Sequence, residues 1–172
     1  IPVLPASIHP VNTSANPIYS LPPLPNSLIY LSCDNDSLSM LPALPTSLTS
    51  LSCSSNLLTS LPTLPPALQA LGCGSNQLTT LPALPTTLLY LTCNKNQLSN
   101  LPALPSLLVQ VNCASNVIPA LPSLPNSLIN LDYSDNPINT LPVLPPNLET
   151  LSWNNNTTPV LPALTSSLKL LQ

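Results

Sequence analysis

The segment 41–60, LPALPTSLTSLSCSSNLLTS, decides the reading of the whole chain. The next segment, 61–80, reads LPTLPPALQALGCGSNQLTT, and 81–100 reads LPALPTTLLYLTCNKNQLSN. The period is 20 residues without an insertion, so the 172 residues divide into eight full copies, 1–160, and a partial ninth, 161–172. A fixed period of this size marks a solenoid, in which each repeat touches only its neighbours and none can bury its apolar face alone.

Numbered from its first leucine, the repeat reads L-P-x-L-P-x-x-L-x-x-L-x-C-x-x-N-x-L-x-x. In the third copy the apolar set is Leu41, Leu44, Leu48, Leu51, Cys53 and Leu58. Only Leu51 and Cys53 alternate with polar residues at the spacing of a half-buried strand. One short strand is therefore expected over 50–54, with Leu51 and Cys53 inward and Ser50, Ser52 and Ser54 outward. Copies stacked about 4.8 Å apart would form a parallel sheet in front of a continuous apolar core. Pro42 and Pro45 forbid an ordinary helix on the way back, because each lacks an N–H and disfavours helix in the residue before it. The same pair recurs from Pro22 and Pro25 to Pro142 and Pro145. An extended, polyproline-like convex side is expected, with one tight turn at Pro45 to Leu48 and almost no helix in the chain. The 25 prolines do not signal disorder, since disordered proline-rich chains lack a strict apolar period.

Position sixteen holds Asn16, Asp36, Asn56, Asn76, Asn96, Asn116, Asn136 and Asn156. The strand ends there and the chain turns inward, which would bury unpaired backbone groups. A side-chain amide offers two donors and an acceptor, enough to join the turns of neighbouring coils as a structural ladder. Asp36 keeps the acceptor and loses the donors.

The residues 48–58, LTSLSCSSNLL, resemble the leucine-rich repeat core L-x-x-L-x-L-x-x-N-x-L, with Cys in place of the third Leu. The leading LPxLP and the 20-residue length resemble the short bacterial class of these repeats, which includes secreted effectors of pathogens. The Cys-bearing, Ser/Thr/Asn-rich version is similar to repeats of large secreted or surface proteins of the Bacteroidetes, and to some in giant viruses. The resemblance covers the whole chain. It implies a leucine-rich repeat solenoid, a general binding scaffold.

The thirteenth position gives a second ladder: Cys33, Cys53, Cys73, Cys93 and Cys113. Neighbours in register on parallel strands point the same way, which suits neither disulfide geometry nor, without a histidine or a C-x-x-C pair, a metal site. They are read as small buried apolar residues with free thiols. Tyr133 and Trp153 fill this slot in the seventh and eighth copies. They are expected in the core, with the hydroxyl or indole N–H reaching a partner. Gly72 and Gly74 fall on outward positions and are expected to leave a shallow bare patch in the sheet.

Two cations, five anions and no arginine leave no basic face, which excludes nucleic-acid binding. No apolar run is long enough to span a membrane, no signal peptide is evident, and no membrane insertion is expected. No enzyme activity and no cofactor is expected either. His9 is the single histidine, with no nucleophile beside it, and Asp132 and Asp135 read as solvated surface charge rather than as a cation site or an acid–base pair. The acceptor sequence for N-linked glycans at Asn12, Asn35, Asn155 and Asn156 is expected by chance in so Asn- and Ser-rich a chain. Asp36-Ser37-Leu38 resembles a short O-glycosylation motif of exported Bacteroidetes proteins.

The outward positions ten, twelve and fourteen present the candidate concave binding face: Tyr30, Ser32, Asp34, Tyr90, Thr92, Asn94, Gln110, Asn112, Asn130, Asp132 and Asn154. It is neutral, flat and rich in hydroxyls and amides, with rings beside amides. The first functional reading is a non-enzymatic extracellular or cell-surface scaffold that binds a protein or glycan on this face. The second is a segment of a filament or stalk whose open ends stack, favoured by uniform repeats, low charge and the absence of recognisable caps. The third is the repeat domain of a secreted effector whose catalytic domain lies outside these residues. In each, 1–172 is one solenoid domain and a segment of a longer chain.

Overall fold

The computed structural model describes residues 4–140, 142–157 and 163–171. The repeat boundaries at Ile1 and at Val160–Leu161, the opening Leu141 and the end at Gln172 lie outside the described residues. Nine parallel strands form one sheet in sequence order: β1 (Pro10–Asn12), β2 (Tyr30–Ser32), β3 (Ser50–Ser52), β4 (Ala70–Gly72), β5 (Tyr90–Thr92), β6 (Gln110–Asn112), β7 (Asn130–Asp132), β8 (Thr150–Ser152) and β9 (Leu170–Leu171). Each pairs the next at a step of one repeat, so that Leu31 faces Leu51, Leu51 faces Leu71 and Leu71 faces Leu91. No helix occurs among the described residues.

β1 to β8 are three residues long and β9 two, where five were expected, although the ladder runs on beyond them. Cys53 N–H donates to Gly72 O (2.8 Å) and Ser55 N–H to Gly74 O (2.8 Å). The pairing outlasts the regular strand because the residue at position fifteen adopts a left-handed conformation. Ala15, Asn35, Ser55, Ser75, Lys95, Ser115, Asp135 and Asn155 all lie at φ between 53° and 62°. This bend turns the chain out of the sheet and into the coil.

Behind the sheet, Leu48, Leu51, Cys53 and Leu58 are buried, as are their counterparts in the central coils. Each buried leucine contributes about 1.5–3 kcal/mol. Together they make one continuous core along the axis. The back of each coil is extended chain with one tight turn: Leu48 N–H donates to Pro45 O (3.1 Å), and the same bond closes on Pro25, Pro65, Pro85, Pro105, Pro125 and Pro145. Proline is harmless there because these positions give up no ladder bond. A hydroxyl row stitches the backs together. Ser47 Oγ donates to Leu28 O (2.7 Å), Thr87 Oγ1 to Leu68 O (2.8 Å) and Ser127 Oγ to Leu108 O (2.7 Å). Its signal is Ser or Thr at position seven, broken by Ala67, Leu107 and Asn147.

Candidate binding surface

The turn that ends each strand fixes the floor of the sheet face, and Asn56 shows how. Its Oδ1 accepts Leu38 N–H of the preceding coil (3.0 Å). Its Nδ2 donates to Cys33 O (2.7 Å), to Cys53 O (3.2 Å) and to Ser54 O (3.2 Å). One amide thus joins two coils and pairs backbone that water cannot reach. Asn76, Asn96, Asn116 and Asn136 repeat the pattern, with Oδ1 accepting Leu58, Leu78, Leu98 and Ile118 N–H. At the start of the array the slot works differently. Asp36 Oδ1 accepts Asn16 N–H (2.8 Å), and its Oδ2 accepts Thr13 Oγ1 (3.2 Å). The side-chain Nδ2 of Asn16 donates within its own coil, to Thr13 O and Ser14 O. Asn156 donates to Tyr133 O, Trp153 O and Asn154 O, but its Oδ1 has no partner.

All five cysteines are buried and free. Burial in the apolar core pushes the Cys33, Cys73 and Cys113 thiols up to about 12. Burial, and then their thiol neighbours, raise Cys53 and Cys93 as well. These are core groups, not nucleophiles, because the reactive species is the thiolate. Tyr133 is fully buried in the same column, but its hydroxyl finds no hydrogen-bond partner. That corrects the expectation of a paired phenol: burial first, and then the neighbouring Cys113 thiol, raise the Tyr133 pKa well above its ordinary value. Trp153 is half-buried against the core.

On the outward side, Tyr30 and Tyr90 are 41% and 47% exposed. Asp34, Thr92, Asn94, Gln110, Asn112, Asn130 and Asp132 are half-buried, and Asn154 is exposed. Ser32 is not available as surface: it is 5% exposed. A hydroxyl–carboxylate network covers it, in which Ser32 Oγ meets Ser14 Oγ (2.7 Å) and donates to Asp34 Oδ2 (3.3 Å). Asp34 is itself held by Ser52 Oγ (2.8 and 2.7 Å) and Ser54 N–H (2.6 Å). In row twelve, Asn112 Oδ1 accepts Ala114 N–H and Asp132 Oδ1 accepts Ser134 N–H, both 3.1 Å. These carboxamide and carboxylate groups brace the end of the strand while facing outward.

The bare patch expected at the glycines is only half present. Gly74 is buried, because Asn94 of the next coil folds over it and its Oδ1 occupies the space a Cβ would need. Gly72 remains partly open, with Ser52 Oγ 3.3 Å and Ser54 Oγ 3.6 Å from where a Cβ would stand. His9 uses Nδ1 on Ser27 O (3.0 Å). Among the described residues, no group of His, Cys, Asp or Glu is placed to hold a metal ion, and no helix is long and apolar enough to cross a membrane.

The solved structure of YopM from Yersinia enterocolitica WA-314 superimposes on 99% of this chain with a TM-score of 0.98 at 42% identity. The fold is a leucine-rich repeat solenoid. A second YopM structure, titled a leucine-rich effector protein from Yersinia pestis, matches 95% of the chain at 31% identity and a TM-score of 0.69. A Shigella effector leucine-rich repeat domain matches 90% at 32% identity and a TM-score of 0.62. The chain spans 38%, 59% and 62% of these three proteins. No family model and no curated protein matches it. As a leucine-rich repeat array, it keeps its sheet on one side and its proline-rich turns on the other.

Proposed function

We propose that this chain is a non-enzymatic protein-binding array of the bacterial effector type, which docks its partner on the outward rows of the sheet. The observation that carries this is the overlay on YopM over 99% of the chain, joined to a sheet face that combines exposed tyrosines with amides and hydroxyls. Tyrosine supplies large contact area with a polar tip at low entropic cost, which is why it concentrates the energy of many protein interfaces. Polar groups already braced by the backbone add direction at little ordering cost. The site of action is proposed to be outside the producing cell, in keeping with the effector titles of two of the similar structures. The array is also proposed to be a segment of a longer chain, in keeping with its spanning 38%, 59% and 62% of the three similar proteins. Membership of the Cys-bearing Bacteroidetes surface group remains a proposal resting on the Cys and Ser/Thr/Asn columns alone.

A photo-crosslinking side chain placed at Gln110 on the sheet, and in a parallel sample at Ala83 on the back, tests the docking face. Capture of the same protein from eukaryotic cell extract at Gln110 but not at Ala83 is the expected result. Capture at Ala83 alone, or at both equally, overturns the face. Retention on a neutral glycan array, abolished by combined Tyr90→Ala and Asn112→Ala, would transfer the same face to carbohydrate.

A further inference from the structure

We propose that the stretch of sheet between Tyr30 and Tyr90 is a trough that docks a partner peptide segment carrying lysine or arginine beside an apolar side chain. The proposal rests on the sheet face being the protein-binding surface. The registers of β2 to β5 place Tyr30, Ser50, Ala70 and Tyr90 side by side along row ten. The two tyrosines stand three coils apart, about 14 Å at about 4.8 Å per parallel neighbour. Both rings are exposed, whereas the floor between them is Ser50, Ala70 and, one row on, Gly72. Along rows ten and twelve nothing taller than a hydroxyl stands between the rings. The rest of row ten, Pro10, Gln110, Asn130, Thr150 and Leu170, has no aromatic ring.

A segment lying along the trough brings an apolar side chain against either ring and over the low floor, where it leaves water against an aromatic wall and the backbone, the kind of contact that concentrates binding energy. The charge of the partner follows from Asp34, at the rim of this trough. Ser52 and Ser54 hold its carboxylate in place, and it stays half-exposed. Rows ten, twelve and fourteen carry Asp34 and Asp132 and no cation among the described residues, on a chain of net charge −3. Such a face attracts a cationic segment and opposes phosphorylated or acidic ones. A neutral sugar would gain little from Asp34, whose lone pairs already accept from Ser52 and Ser54.

The test is selection of a display library of random short peptides on the purified chain, followed by affinity measurement on synthesised winners. The expected winners pair a basic residue with an aromatic or aliphatic one. Combined Tyr30→Ser and Tyr90→Ser should weaken them by roughly tenfold or more, about 1.4 kcal/mol. Ala70→Gln, which fills the trough with a residue its own row carries at position 110, should do the same, and Tyr19→Ser should change nothing. Asp34→Asn should weaken them and flatten their salt dependence. Circular dichroism and unfolding of each variant establish that the solenoid is intact. If winners respond to Gln110→Ala or Asn130→Ala but not to the tyrosine changes, the trough is wrong while the sheet face stands. Indifference to every change on the face overturns both. Acidic winners, no winners, or retention only on neutral glycans overturn the trough.

Discussion

Coils three to six and coils seven and eight share a sequence pattern, yet they close their cores differently. In the former, Cys53, Cys73, Cys93 and Cys113 fill position thirteen, and each ladder amide spends its oxygen and its nitrogen on buried backbone. In the latter, Tyr133 and Trp153 take the slot. Among the described residues, two buried polar atoms then stand without partners, Tyr133 Oη and Asn156 Oδ1. The difference teaches where the polar loose ends gather: the Asn136 amide still serves two coils, but the Tyr133 hydroxyl beside it and the Asn156 oxygen one coil on are left over.

The widest break in that comparison should come at alkaline pH. The buried thiols lie above their ordinary value of 9.0, at about 12 for Cys33, Cys73 and Cys113. Below pH 9 both folded and unfolded chains keep these protons, so the contribution is fully present. Above it only the unfolded chain ionises, and stability is lost as pH rises from 9 towards 12. The slope is about 1.4 kcal/mol per thiol per pH unit. Urea unfolding at pH 8 and pH 10 should therefore differ by several kcal/mol, and Cys73→Ala should narrow that gap by about one thiol's share. A gap unchanged by Cys73→Ala would mean the column is not what ionises.

A smaller effect separates the ladder amides. Asn76→Ala strips the partner from Leu58 N–H and removes donors from Cys53 O, Cys73 O and Gly74 O, so a loss of about 3 kcal/mol is expected. Asn156→Ala removes an amide whose oxygen is already unpaired, and about 1 kcal/mol should suffice. Equal losses in denaturant unfolding would erase the distinction between the two regions. Smaller still, and of opposite sign, Tyr133→Phe removes an unpaired buried hydroxyl and should raise stability by about 1 kcal/mol. A loss on that change would reveal a partner for the hydroxyl.

The fold was legible because its signals are side chains repeated at one period. Leucines at eight, eleven and eighteen can only face a shared core, and prolines at two and five can only lie where no ladder runs. What escaped the sequence is set by backbone or by the neighbouring coil. The left-handed residue has no fixed chemistry, being alanine, asparagine, serine, lysine or aspartate in turn, so its column gives no glycine signal. Ser32 reads as outward, and it is, but Ser14 and Asp34 close over it. Gly74 reads as bare, and Asn94 from the next coil covers it. On a three-residue strand, exposure depends on which residue stands one repeat away, and that takes coordinates to see.

The division between an inward column that holds the coil and outward rows free to bind is tested most directly within coil seven. Asn136 is buried, with Oδ1 on Ile118 N–H (3.1 Å) and Nδ2 on Cys113 O (3.0 Å) and Tyr133 O (3.0 Å). Asn130, six residues earlier, lies in row ten, where Ala70 is already a natural occupant. Urea unfolding of Asn136→Ala and Asn130→Ala against the parent chain is the measurement. Asn136→Ala should cost about 1–3 kcal/mol for each buried group it orphans, and Asn130→Ala should stay within about 0.5 kcal/mol. Equal costs for the two would contradict the inward and outward assignment, and with it the sheet face as the binding surface.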